Sequence, residues 1–194
     1  MLILALTGSI GMGKSTTAQM FRARGIPIHD SDAAVHEIYS GRDAAAIAAR
    51  FPGTVRDGRV DRVLLGGKVL NDPAALRDLE AIVHPLVAAR RDAFLVRARE
   101  SGKSCVLLDI PLLFETGGES QARLIVVVSA AFAVQKQRVL ARSGMTEERF
   151  QQILRRQLPD GDKRARAHAV IATGRGMEAA DRQVGDLLRA LASA

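Results

Sequence analysis

The residues best suited to chemistry stand together near the start of the chain. Gly8-Ser9-Ile10-Gly11-Met12-Gly13-Lys14-Ser15 fits the pattern G-x-x-x-x-G-K-[ST] at every fixed position. Glycines at these places let a backbone close around an anion without Cβ clashes. The loop's N–H groups, and the N-terminus of a helix that follows it, aim positive partial charge at bound phosphates. Lys14 has the reach for β- and γ-phosphates, and Ser15 offers a hydroxyl to Mg2+. The pattern points to binding of a nucleoside triphosphate; it does not say what is done with it.

Two further sets of residues can act on such a ligand. Asp30-Ser31-Asp32 follows a short apolar segment. It reads as a helix N-cap, and equally as a carboxylate that takes a proton from an attacking hydroxyl or helps orient Mg2+. With two carboxylates, both readings can hold at once. Asp109 ends the run Val106-Leu107-Leu108 just before Ile110-Pro111. It is either a carboxylate that supports Mg2+ through water or a turn residue ahead of proline. Gln135, Arg138 and Arg142 are spaced i, i+3, i+7 and share a helix face, and Arg149, Arg155, Arg156, Lys163, Arg164 and Arg166 follow. Three readings of these cations are open: a helical lid that balances charge on a transferred phosphoryl group, a solvated face, or a nucleic-acid surface. His84-Pro85 reads as a substrate site or as a helix break. His29, His36 and His168 lack metal-ligand spacing, and Cys105 reads as a small buried hydrophobe.

The elements that must position these residues alternate. Apolar runs predict strands over 2–7, 26–29, 104–109 and 124–128, with a weak last strand over 169–172. Helical spacing covers 14–24, 32–40, 43–50 and 62–70, then runs from Pro73 to about 100 with a break expected at His84-Pro85. Helices over 131–142, 146–158 and 177–192 follow, and 51–58 reads as a loop. Strands alternating with helices imply a mostly parallel sheet covered on both faces, an α/β fold. The long helical stretch without a strand reads as an insertion beside the sheet.

Composition narrows the class. At 194 residues the chain suits one compact domain with a small inserted subdomain, and 47% hydrophobic residues exclude a mainly disordered state. Aromatics are 4% with no Trp, which argues against a stacking platform for single-stranded nucleic acid. The net charge of +7 predicts an anionic partner. A lone cysteine excludes an intrachain disulfide framework and fits a reducing, cytoplasmic setting. No apolar run reaches the ~18 residues that span a bilayer, so no membrane partner is expected.

The same residues carry a resemblance that covers about 3–174, nearly the whole chain. The blocks are Leu6-Thr7-Gly8 through Ser15-Thr16, Asp30-Ser31-Asp32, and Asp61-Arg62-Val63-Leu64-Leu65. Leu79-Glu80-Ala81-Ile82-Val83-His84-Pro85 and Leu108-Asp109-Ile110-Pro111-Leu112-Leu113-Phe114-Glu115 follow, then Gln135 through Arg138, Arg142, and Gln157 with Lys163. In this order the blocks resemble the dephospho-CoA kinase family. The phosphate loop is common to many families; the His-Pro and Asp-Ile-Pro-Leu-Leu-Phe-Glu blocks are far more specific.

The resemblance implies a P-loop kinase fold with a helical insertion and a helical lid. It implies transfer of the ATP γ-phosphate to the ribose 3′-hydroxyl of dephospho-CoA, the last step of coenzyme A synthesis, with Mg2+ and without a nucleic-acid partner. Residues 1–31 and 103–194 would form the nucleotide-binding core, including a lid at about 138–165, and 32–102 the acceptor-binding insertion. By the same resemblance Asp32 is the base, with Lys14 and Arg142 catalytic. Gly8, Gly11, Met12, Gly13, Lys14, Ser15, Thr16 and Arg138 hold ATP. Asp32, Arg62, His84, Pro111 and Leu112 take the acceptor, and Ser15 and Asp109 serve Mg2+. His168, Asp162 and Thr173 depart from the family's usual Asp, Glu and Asn. The other readings are a kinase for a different small acceptor and a protein that uses ATP as a switch in binding nucleic acid, the latter recognisable by steep salt dependence.

Overall fold

The computed structural model describes residues 1–193. Contacts divide them into two compact units, Met1–His29 with Gly102–Ala194, and Asp30–Ser101. The first is built on a five-stranded sheet. β1 (Leu2–Thr7) lies at its centre, and β2 (Ile28–Asp30) sits at one edge. With β5 (Cys105–Asp109), β6 (Leu124–Ser129) and β7 (Ala169–Ala172) the order is β2-β5-β1-β6-β7. β1 runs parallel to both β5 and β6, and β6 parallel to β7. Leu4, Ala5, Leu6 and Thr7 are all fully buried, as continuous apolar runs require when both sheet faces are covered.

Alternate strand residues feed two cores. Leu4, Leu6, Leu107, Val126 and Val128 pack with Met20 and Phe21 of α1 (Lys14–Ala23) and with Ala180 and Val184 of α9 (Met177–Ala192). Ala5, Ile125 and Val127 point the other way, onto Leu113 and Phe114 of the segment after β5. Each such side chain contributes roughly 1.5–3 kcal/mol by leaving water. The remaining helices of this unit are α6 (Phe132–Leu140), α7 (Glu147–Arg155) and α8 (Asp160–Ala165).

The second unit packs α2 (Ser31–Ser40), α3 (Ala44–Arg50) and α4 (Arg62–Val69) on the long α5 (Pro73–Glu100). Its core joins Ile38, Ile47, Phe51, Leu65, Leu79 and Val83. Asp30, Asp61 and Asp72 cap α2, α4 and α5 by accepting N–H bonds from the first turn of each helix. Three expectations are corrected here. The break at His84-Pro85 is absent, because α5 continues through Pro85. Proline costs its own N–H bond, but Leu79 and Val83 are buried just before it and hold the helix on the core. Residues 51–58 are not all loop, since β3 (Val55–Arg56) and β4 (Arg59–Val60) form a hairpin. Asp57 and Gly58 turn it with φ of 50° and 73°, the positive values that a two-residue hairpin loop needs. The helix expected over 146–158 ends at Arg155, and a further helix that was not expected, α8, begins after Pro159.

Candidate active site

The phosphate loop leaves the carboxyl end of β1 and enters α1 at Lys14. Gly11 and Gly13 have φ of 76° and 88°, in the left-handed region that disfavours any side chain. A Cβ on Gly11 would stand 2.5 Å from Val139 Cγ2 of α6, so the loop also needs glycine for close approach. Met12 turns its side chain inward, where Sδ accepts the Ala130 N–H at 3.1 Å. Ser15 and Thr16 stay exposed on the first turn of α1.

Lys14 Nζ lies 2.6 Å from Asp109 Oδ1, an ion pair with side-chain exposures of 14% and 5%. Register explains it: Leu6 pairs with Asp109, so β5 ends beside the start of the loop. Thr7 Oγ1 donates to the Pro111 carbonyl at 3.1 Å and ties the segment after β5 to the same place. An exposed serine hydroxyl and a buried carboxylate are hard oxygen donors, the kind Mg2+ takes alongside waters and phosphate oxygens. Among the described residues no group of three or more His, Cys, Asp or Glu could hold a metal by itself.

Beside the loop opens a cavity of about 320 Å³, lined by Gly11, Gly13, Thr16, Arg138, Arg142, Thr173 and Met177 among others. Arg138 does not float there. Its guanidinium donates to Thr173 Oγ1 at 3.0 Å and to the Thr173 carbonyl at 2.8 Å. Thr173 Oγ1 donates in turn to the Met12 carbonyl at 2.8 Å. Arg142, one turn further, is exposed and lines the cavity.

A buried ion pair supports the segment after α7. Lys163 is fully buried, with Nζ 2.8 Å from Glu115 Oε1, which also accepts the Leu158 N–H at 2.8 Å. Burial opposes ionisation of Glu115, but Lys163 and the backbone N–H groups outweigh it and hold its carboxyl below the usual range. Burial pushes the Cys105 thiol up, which disfavours its thiolate form.

The other expected residues fall in the second unit, apart from Pro111 and Leu112. Asp30 Oδ1 accepts the N–H groups of Asp32 and Ala33, at 2.9 and 3.1 Å. Asp30 is thus the cap, and the Asp32 carboxylate is left exposed on the first turn of α2. Arg62 stacks over Tyr39, 5.4 Å from the ring centroid, with Nη2 3.4 Å from His36 Nδ1. His36 is one turn along α2 from Asp32. His84 is exposed on α5. Pro111 is half-buried and Leu112 is exposed, both in the segment after β5.

Comparison with known proteins decides the family. The family profile for dephospho-CoA kinase matches residues 2–178. The chain belongs to the dephospho-CoA kinase family. A dephospho-CoA kinase from Mesorhizobium japonicum is 58% identical, over 97% of this chain and 95% of its own length. One from Agrobacterium fabrum is 51% identical over 98% of each. Among solved structures, TT1252 from Thermus thermophilus has a TM-score of 0.82 at 36% identity, covering 98% of this chain and 97% of its own. Shikimate kinase from Bacteroides thetaiotaomicron shares the fold alone, with a TM-score of 0.56 at 14% identity over 97% of this chain and 98% of its own.

The residues expected to serve the nucleotide and its transfer, namely the phosphate loop, Lys14, Asp109, Arg138 and Arg142, all lie in the first unit. Sequence reasoning missed Thr173, noted only as a departure, which here joins Arg138 to the loop. It also missed the partners of Ile10, namely Gln135 and Gln157, and gave no role to Glu115 and Lys163. All four stood in the family blocks, but nothing in their spacing tells which atoms they meet. His168, another departure, accepts the Ile125 N–H through Nδ1 at 3.1 Å and so secures the strand it precedes. Among the described residues no helix is long and apolar enough to cross a membrane.

Proposed function

We propose that this chain phosphorylates the ribose 3′-hydroxyl of dephospho-CoA with ATP, in the cytoplasm, and that the residues named above divide the work. The match to relatives named dephospho-CoA kinase along 97% of the chain carries the choice of acceptor. The loop, the Lys14–Asp109 pair and the neighbouring cavity support ATP as donor.

The reaction forms a bond between the 3′-oxygen and the γ-phosphorus and breaks the bond from that phosphorus to the β–γ bridging oxygen. ADP leaves, and the hydroxyl proton passes to a base. There is little covalent work for the protein, so catalysis is positioning and charge balance. The loop N–H groups hold the β-phosphate, and Lys14 stabilises charge on the transferred group. Asp109, 2.6 Å away, holds that ammonium in place. Arg142, free to reach over the cavity, balances charge as the phosphoryl group moves. Mg2+, held by Ser15 and through water by Asp109, would neutralise phosphate charge when bound. Asp32 is the base: Asp30 takes the capping role and leaves the Asp32 carboxylate available. Arg62 and His84 of the second unit, and Pro111 and Leu112 of the first, are assigned to binding the acceptor.

ADP release with MgATP tests this reading, with mass analysis of the product. Dephospho-CoA should stimulate release strongly, and adenosine, AMP and shikimate weakly. Asp32→Asn should keep ATP binding and lose roughly 10²–10⁴ in kcat. Near-normal turnover in that variant removes Asp32 as base. Protein that binds MgATP but ignores dephospho-CoA refutes the acceptor.

A further inference from the structure

One residue of the phosphate loop is held at both its N–H and its carbonyl by glutamine side chains. Gln135 Nε2 donates to the Ile10 carbonyl at 2.8 Å, and the Ile10 N–H donates to Gln157 Oε1 at 3.0 Å. Ile10 lies on the crest of the loop, next to Gly11 with its φ of 76°. The amide orientations follow from their partners, since a backbone N–H requires an oxygen and a carbonyl requires a donor.

The two glutamines come from different places. Gln135 is on α6, 3% exposed, and α6 already presses on the loop at Gly11 through Val139. Gln157 follows α7, in the segment read as the lid. Its neighbour Leu158 is fastened to Glu115, which pairs with the buried Lys163. Gln157 therefore reaches Ile10 from a backbone that is itself pinned. Neither side chain has a part in the phosphoryl transfer described above.

We propose that Gln135 and Gln157 are positioning residues that order the crest of the phosphate loop before ATP arrives, and that Gln157 ties this order to the segment carrying the lid. A loop whose N–H groups already converge binds triphosphate without the cost of ordering them. Released from its bracket, the loop must be ordered by ATP itself, so the loss falls on ATP affinity rather than on the chemical step. The effect on turnover rests on the kinase reading; the effects on loop order and ATP affinity do not.

The bonds have opposite polarity, and that supplies the test. Position 157 must accept, so Gln157→Glu keeps the bond to Ile10 and Gln157→Met loses it. Position 135 must donate, so Gln135→Glu and Gln135→Met both lose theirs. Residue-resolved amide exchange on nucleotide-free protein should show faster Ile10 exchange in Gln157→Met and near-normal exchange in Gln157→Glu. Calorimetric titration with MgATP should give a Kd raised roughly three- to tenfold in Gln157→Met, one hydrogen bond's worth. With dephospho-CoA as acceptor, its KM and kcat should stay within about twofold of the parent, as a lost bond used only for loop order predicts. Gln157 is only partly buried, so its Met variant should fold even if the Gln135 variants do not. Unchanged Ile10 exchange and ATP Kd in Gln157→Met overturn the proposal. So do equal exchange in the Glu and Met variants, tighter ATP binding, or a fall in kcat with ATP affinity unchanged. Failure of the acceptor assignment leaves the exchange and calorimetric results standing, so the two can be told apart.

Discussion

Lys163 has its whole side chain out of water and one carboxylate, Glu115, within 2.8 Å. Removing one member of such a pair strands the other. Glu115→Gln keeps an oxygen for the Leu158 N–H but leaves an ammonium with no counter-charge, 0% exposed. Lys163→Met instead leaves a carboxylate that is 14% exposed and still accepts from Leu158. Breaking a buried pair costs about 3–5 kcal/mol, so Glu115→Gln should fall near the upper end and Lys163→Met at roughly 2–3, because water screens the survivor. At about 2–4 °C per kcal/mol for a chain of this size, Lys163→Met should lower Tm by roughly 4–12 °C. The double variant should be more stable than Glu115→Gln alone, since no charge is left buried. Thermal and urea unfolding of the four proteins form the cycle that measures this coupling. The pH dependence has a fixed sign. The Glu115 carboxyl is held below its usual range, so its contribution is present above the unfolded pKa of about 4.3 and is lost as pH falls through the lower folded value. Stability of the parent should therefore drop more steeply below about pH 4.3 than that of Lys163→Met. Additive losses in the cycle, the reverse order of the two single variants, or a cost under about 1 kcal/mol would refute this account of the pair.

Two further substitutions probe the loop. Gly11→Ala adds a Cβ 2.5 Å from Val139 Cγ2 at a φ of 76°. The left-handed conformation alone costs roughly 1–2 kcal/mol, so ATP Kd measured by calorimetry should rise at least about fivefold; a change under twofold would show that the loop can relax. Lys14→Ala should lower kcat by roughly 10²–10³, as loss of one aimed positive group does. It should also lower Tm, since Asp109 loses its ion-pair partner, and retained kcat in steady-state assays would remove Lys14 from its role.

The amino-acid order alone determined a good deal. Apolar runs at 2–7, 104–109 and 124–128 are legible as buried strands because they are too short for helices and are bounded by turn residues. The phosphate loop is legible for a similar reason: its glycines and lysine act through local backbone geometry, which spacing encodes. The family blocks extended that reading to a fold and an activity. Even a miss can be legible: Asp57-Gly58 is a strong hairpin signal, overlooked because two-residue strands show no alternation. Pro85 was misread for a different reason. Its local cost is real, but burial of Leu79 and Val83 on the second unit's core outweighs it, and burial is a property of the packed chain.

What only the tertiary structure decided are pairings between distant residues. That Asp30 caps α2 while Asp32 stays exposed required the backbone, since both carboxylates read alike in sequence. Arg138 meets Thr173, Lys14 meets Asp109 and Glu115 meets Lys163 because strand register and helix packing bring them within about 3 Å. Gln135 and Gln157 meet at Ile10 from more than a hundred residues away. Hydrogen bonds fall off within an ångström, so their partners are set by where the folded chain delivers each atom, and residue spacing along the chain carries no such distance.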